Sequence, residues 1–511
     1  MKNYKYISLF LLSLGLISCD VNNELDEIQA EPVEQVELNT NGLDFSSYVS
    51  VGASFTAGFT DNALFIAAQE NSFPNILAGK FGANFAQPLM SDNIGGLLFA
   101  GNVIQGSRLF FNGAGPAALP ATPTTEVTTS VAGNLNNYGI PGAKSFHFVA
   151  SGYGNVQGVP LGLANPYYAR MASSATATVL GDAMAQSPTF FTLSEIGGND
   201  VLGYATSGGS GIDQTGNFDP TTYGGSDITD PNVFAQVFTT MVSTLTSGGA
   251  KGVVANVPYI TDLSHFTTVP YNPIPLDAGT AAAVNGGYAA YNGGIQQAFG
   301  GLVQLGVFTQ DQADAEIEKR TISFSAGQNA VVIIDEDLTD LEALNPAFAG
   351  LKQFRQATAN DLLVLPSSNF IGTLADPNNP LSVNGVGVAL EDKWVVTPEE
   401  QLAIKTATDA YNATIEATAA ANANIALVDF KAVLAEASTG IMFDNYTLNT
   451  SLVTGGLVSL DGVHLTARGY ALMANKIMAA MDAEFGTNFT SATGGLAVAG
   501  DYPTNYSPAL R

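Results

Sequence analysis

The amino-acid sequence predicts an α/β fold with helices covering a parallel sheet, and three observations carry that expectation: unalternating apolar runs, a recurring strand–glycine–helix order, and a capped helix that leads into a strand. The runs are "DFSSYVSVG" (44–52), "TFFTLSEIG" (189–197), "KGVVANVP" (251–258), "AVVIIDED" (330–337) and "NIALVDF" (424–430). Val, Ile, Phe and Leu with little alternation suit strands buried on both faces, as in parallel sheets. "TPEEQLAIKTATDAYNATIEATAAAN" (397–422) reads as a helix in which Thr397 is the cap, Pro398 takes the first position and Glu400 stands where a capping box needs it. It runs directly into the 424–430 segment, and strand, helix, strand in sequence is the unit of a parallel sheet.

Between these elements lie Gly, Ala, Ser and Asn-rich stretches at 60–135, 203–232 and 265–395. Unstructured loops of that length do not suit a compact domain, so insertions with some helix of their own are expected, walling a cleft. At 511 residues the chain buries a sizeable core without disulfides, and its one cysteine, Cys19, has no partner within the chain. The formal charge of −28 arises from 45 acidic against 17 basic residues, with no Lys/Arg cluster, which disfavours nucleic acid as a partner. A neutral or apolar substrate suits that field better.

The amino end, "MKNYKYISLFLLSLGLISC", has the positive, apolar and small-residue regions of a secretory signal and is too short in its apolar part to span a bilayer. Leu16-Ile17-Ser18-Cys19 resembles the lipobox of bacterial lipoproteins, which implies cleavage before Cys19 and lipidation there, an anchor to the cell envelope. The acidic stretch after it reads as a tether. The expected organisation is therefore a signal peptide (1–18), a tether (19–41), one domain with insertions (42–490) and a Gly-rich tail (491–511) to which no task is assigned.

The candidate chemistry starts from "VGASFTAG", where Ser54 stands between Gly52 and Gly58 at the end of a predicted strand. An activated serine needs a general base, and only His147, His265 and His464 are present. His464 has Asp461 three residues before it in "DGVHLTARGY", a spacing that on a tight turn lets the carboxylate fix the imidazole tautomer. His265, with Asp262 at the same spacing, is the second choice; His147 alternates with aromatics and reads as packing or surface. Two glycine-rich turns offer donors for a developing oxyanion: Gly142 in "NNYGIPGAKS" and the Asn199 side chain in "EIGGNDVLG", with the Ser54 N–H as a third. No cluster has zinc spacing, and no metal or cofactor is expected.

Taken together, the blocks around Ser54, Gly142, Asn199 and Asp461–His464, in that chain order, resemble the SGNH, or GDSL-type, hydrolase family. Residues 69–96 further resemble members found as lipoproteins in the Bacteroidetes. The acidic residues after Cys19 resemble the export signals of surface lipoproteins in that group, which implies the outer membrane, whereas Asp20 in other bacteria would imply inner-membrane retention, so both membranes stay open. The resemblance implies a three-layer α/β/α sandwich with a flavodoxin-like central parallel sheet of about five strands. It also implies Ser54 as nucleophile, His464 as base, Asp461 as its orienter, and an oxyanion hole of Ser54, Gly142 and Asn199, acting on small-molecule or lipid esters. Gly52-Ala53-Ser54-Phe55 departs from the family's usual Gly-Asp-Ser-Leu, although the missing Asp is not a catalytic group. Three functions remain open: a lipase or carboxylesterase, an acetyl-carbohydrate esterase, and a surface binding lipoprotein that keeps the fold without activity.

Overall fold

A computed structural model describes residues 35–511, of which Leu38–Arg511 form one compact unit. The signal peptide, Cys19 and most of the tether lie outside the described residues. Among the described residues no helix is long and apolar enough to cross a membrane.

Five strands form the central sheet: β1 (Tyr48–Gly52), β2 (Asn137–Gly139), β3 (Phe190–Ser194), β4 (Lys251–Ala255) and β5 (Ile425–Val428). Their order is β2-β1-β3-β4-β5, parallel throughout, which is the doubly wound order of flavodoxin-like sheets. Every residue of β1 and β3 is buried, as the unalternating runs require. The register sets Gly52 beside Gly139 on one side and beside Ser194 on the other, so the ends of β1, β2 and β3 lie level.

Helices flank this sheet, an arrangement compatible with a three-layer sandwich. Those used below are α1 (Ser54–Ala57), α2 (Phe73–Phe81), α3 (Asn199–Thr206), α4 (Pro231–Thr246), α5 (Ala278–Gln304), α6 (Gln310–Arg320), α7 (Pro398–Ala420) and α8 (Ala467–Phe485). The α2 and α8 helices pack on each other, as do α4 and α7. The capping box of α7 is present: Thr397 Oγ1 accepts the Glu400 N–H, and Glu400 Oε2 accepts the Thr397 N–H at 2.6 Å.

The run at 330–337 is a correction. Val332–Ile334 is a strand, but it pairs antiparallel with Phe354–Gln356 in a two-stranded ribbon outside the central sheet. Val332 and Ile333 are buried in a second apolar cluster, with Ile295 and Phe299 of α5, so an apolar run there belongs to another core. The 265–395 stretch thus contains helices, α5 and α6, around a core of its own, and 60–135 carries α2 and two hairpins. By contrast, 207–230 holds one 3-10 turn, Pro220–Thr222, and is ordered largely by the Asp227 and Asp230 carboxylates accepting backbone N–H groups.

The Gly-rich tail packs back onto the domain. Lys80 donates to the Gly494 and Leu496 carbonyls, Tyr506 stacks edge-on against Phe65, and the fully buried Arg108 donates to the carbonyls of Ser507 and Leu510 at 2.7 and 3.1 Å. At the other end, Asn39 and Asn41 bond to Asn488 and to the Phe485 carbonyl.

Candidate active site

Ser54 is the first residue of α1, immediately beyond β1, and its short helix is held on all sides. Beneath it lies Glu195, whose carboxylate accepts the N–H groups of Phe55 (2.7 Å) and Thr56 (2.9 Å) and the Thr56 hydroxyl (2.5 Å). The Asn137 side chain of β2 donates to the Thr56 carbonyl, and the Tyr470 hydroxyl of α8 donates to the Phe59 carbonyl. The glycines around the serine are close-approach positions. A Cβ on Gly52 would overlap Thr56 Oγ1 and stand 2.6 Å from the Ser194 carbonyl oxygen, while Gly58 ends the helix at φ 84°.

Asp461 and His464 meet on the turn before α8. His464 Nδ1 is 2.9 Å from Asp461 Oδ2, and Asp461 Oδ1 accepts the N–H groups of Val463 and His464. The loop that follows Ser54 reaches into the same turn: the Asn62 N–H donates to Asp461 Oδ2 at 2.8 Å, and Phe59 lies against the His464 ring at 4.6 Å between centroids. Although burial works to raise it, the Asp461 carboxyl is held well below the usual carboxylate range by the His464 charge and by these hydrogen bonds. Ser54 Oγ and His464 Nε2 are not hydrogen-bonded to each other or to another described residue. Such bonds tighten in the substrate complex.

The other histidines are occupied differently. His147 Nδ1 accepts the Lys144 N–H and its ring stacks on Tyr153 at 4.2 Å; burial first, then the Lys144 charge, lower its pKa to about 4. His265 packs behind the Asp461 turn, its Nδ1 at 3.4 Å from the Asp461 carbonyl oxygen and its Nε2 buried without a partner among the described residues. Neither holds a carboxylate against its ring nitrogen.

The three expected donors stand beyond the ends of β1, β2 and β3. The Ser54 and Gly142 N–H groups have no acceptor among the described residues, and Gly142, at φ 80°, is exposed with open space where a side chain would stand. Asn199 opens α3, and its amide donates one hydrogen to the Ala143 carbonyl at 2.9 Å, which orients the other. Ser54, Asn199, Val463 and Leu465 border one cavity of about 110 Å³, closed by Leu202, Ile260, Val433, Leu434, Leu472 and Met473. Its wall is almost wholly apolar, and Gly142 is outside it.

Comparison with known proteins finds no matching family model, no matching curated protein and no matching solved structure.

Two carboxyls at the site were not singled out from sequence. Glu195 directly follows β3 and is the one charged residue of the 189–197 run, which is the signal that marks it. Asp61 sits at φ 51°, where Asp and Asn are tolerated, and accepts the Leu460 N–H while its own N–H donates to Ser459 Oγ. Burial raises both to about 7; Asp461 adds to the rise at Asp61, Arg108 and His464 oppose it there, and His464 opposes it at Glu195. A carboxyl whose pKa is raised on folding stabilises the native state below its unfolded value, and that stability is lost as pH rises through the folded value. The melting temperature is therefore expected to fall between about pH 5 and about pH 8, a window in which the depressed Asp461 contributes constantly. Asp61→Asn and Glu195→Gln should each flatten that slope in thermal denaturation, and an unchanged slope in both would disprove the account.

Proposed function

We propose that the protein is a lipid-anchored serine esterase of the SGNH, or GDSL-type, class on a three-layer α/β/α sandwich, hydrolysing acyl esters at the bacterial cell envelope. One observation carries the reading: a serine at a strand end borders an apolar cavity, with unpaired N–H donors at the neighbouring strand ends and a carboxylate–imidazole pair on the turn whose Val463 and Leu465 line the same cavity. The position agrees with the rule that open α/β sheets take their ligands at the carboxyl ends of strands.

The chemistry follows from the arrangement. Asp461 keeps the proton of His464 on Nδ1, leaving Nε2 to take the proton of Ser54 as its oxygen attacks the ester carbonyl carbon. Negative charge then grows on the former carbonyl oxygen, where the Ser54 and Gly142 N–H groups and the Asn199 amide stabilise it. Collapse expels the alcohol, which takes the proton from His464, and leaves an acyl-enzyme. Water repeats the sequence and releases the acid.

The apolar wall favours an acyl chain over a sugar. Trp394, the one tryptophan, stacks on Phe370 at 4.8 Å and lies outside the cavity, so it offers no platform for a carbohydrate there. Each methylene that enters such a cavity gains about 0.8 kcal/mol, about fourfold in kcat/KM. p-Nitrophenyl butyrate is therefore expected to be cleaved about 15-fold more efficiently than the acetate. Equal efficiencies, or a preference for acetylated sugars in the same assay, would point the reaction elsewhere.

A further inference from the structure

The apolar cavity beside Ser54 has one polar side chain that neither the fold nor the proposed reaction uses. Five polar side chains border it: Ser54, Ser194, Glu195, Asn199 and Asn256. Glu195 is engaged by α1, and the Asn199 amide donates to the Ala143 carbonyl. Asn256 is satisfied at both ends, its Nδ2 donating to Asp429 Oδ1 at 2.7 Å and its Oδ1 accepting the Lys431 N–H at 3.0 Å. Ser194, 2 % exposed, is left with no partner for its Oγ among the described residues.

The sheet register accounts for this. Two residues earlier on the same face, Thr192 of β3 pairs with Ser50 of β1, and their hydroxyls stand 2.7 Å apart. Ser194 pairs with Gly52, which has no side chain to offer. Gly52 stays a glycine because a Cβ there would overlap Thr56 Oγ1, so the seating of α1 costs Ser194 its cross-strand partner. Buried hydroxyls are ordinarily paired, and one kept unpaired at the wall of a binding cavity calls for a partner carried by the ligand. Serine can donate or accept, and the surrounding wall, with Leu202 and Ile260, is apolar, so the complement is a neutral hydroxyl and not a charge.

We propose that Ser194 sets acyl specificity and that the preferred substrates are 3-hydroxyacyl esters, the hydroxyl on the third carbon pairing with Ser194 Oγ while the chain end meets the apolar wall. This specificity rests on the serine-esterase reading above. One strand spacing, about 4.8 Å, separates β3 from β1, the strand that displays Ser54; a hydroxyl two carbons from the ester carbonyl, with a hydrogen bond about 2.8 Å long, bridges that interval.

The test compares p-nitrophenyl 3-hydroxybutyrate with p-nitrophenyl butyrate. Wild-type kcat/KM should favour the hydroxylated ester about 2–10-fold. In Ser194→Ala the ratio of the two should fall at least about fivefold, because the substrate hydroxyl is then buried unpaired; the intrinsic reactivities of the esters cancel in that comparison. Ser194→Ala should melt no lower than wild type, since the hydroxyl it removes supports nothing in the fold. Binding gives a readout free of turnover: on Ser54→Ala protein, ligand-observed NMR should show methyl 3-hydroxybutyrate bound more tightly than methyl butyrate, and Ser194→Ala in that background should abolish the difference. If neither p-nitrophenyl ester is cleaved and a fluorophosphonate leaves Ser54 unmarked, the esterase reading fails, and the NMR comparison alone decides the hydroxyl-binding role of Ser194. An unchanged ratio in Ser194→Ala, equal binding of the two methyl esters, or a Ser194→Ala protein that melts several degrees lower, its hydroxyl then belonging to the fold, overturns the assignment.

Discussion

Replacing Ser54 by alanine is expected to lower ester turnover by about 10⁴–10⁶-fold, with the melting temperature little changed. The size follows from what the hydroxyl alone supplies. Without it no acyl-enzyme forms, and only cavity binding and the three oxyanion donors are left to assist a water molecule. The substitution removes one oxygen that makes no hydrogen bond to a described residue, so the helix, held by Glu195, Asn137 and Tyr470, keeps its supports. His464→Ala should fall as far, and the double variant no further, because a nucleophile and its base act as one unit. His265→Ala should retain activity, since its ring nitrogens face the Asp461 carbonyl oxygen and the interior. Steady-state hydrolysis of p-nitrophenyl butyrate measures all four. A fluorophosphonate probe, located by peptide mass spectrometry, should mark Ser54 in the wild type only. A dead His265 variant beside an active His464 variant would move the base to the other turn.

How much of this was legible beforehand differs between strands and side chains. Four of the predicted runs coincide with β1, β3, β4 and β5, because burial on both faces removes alternation and leaves β-branched and aromatic residues dense enough to read. β2 escaped notice for the opposite reason: it is three residues long, "NYG", with Asn and Gly at two of them. It earns its place in the sheet through pairing with β1, a non-local contact that propensity does not register. The 330–337 run was misplaced because an apolar strand announces burial without saying in which core, and the insertion has one of its own.

The candidate site divides along the same line. Asp461 and His464 are three residues apart, so a turn converts their spacing directly into a contact, and they stand 2.9 Å from each other. Glu195 and Tyr470 reach the loop that displays Ser54 across 140 or more residues of chain, and Asp61, on that loop, reaches Leu460 across 399. Nothing local in their neighbourhoods specifies a partner that far away.

Gly139→Ala is expected to cost more, per atom added, than any other single methyl placed near Ser54. Gly139 pairs with Gly52 at the level end of the sheet, and α1 lies directly on it. A Cβ there would overlap the Ala57 nitrogen and stand 2.6 Å from both Ala57 Cα and the Thr56 carbonyl carbon. All three are backbone atoms, so no rotamer change relieves the clash, and α1 itself must move. Overpacking of this kind costs about 1–3 kcal/mol, and a displacement of about 1 Å at a reacting group costs about 10² in rate. The variant should therefore melt several degrees lower and lose at least about 10²-fold in kcat/KM with Ser54 intact and still labelled, slowly, by fluorophosphonate. Gly142→Ala separates sterics from conformation: its site is open, but φ 80° is strained for alanine, so a loss of about 1 kcal/mol is expected there without displacement of α1. If Gly139→Ala matched the wild type in both melting and kinetics, α1 would not be seated against β2 as closely as described, and the positioning of the nucleophile would have to rest on Glu195 and Tyr470 alone.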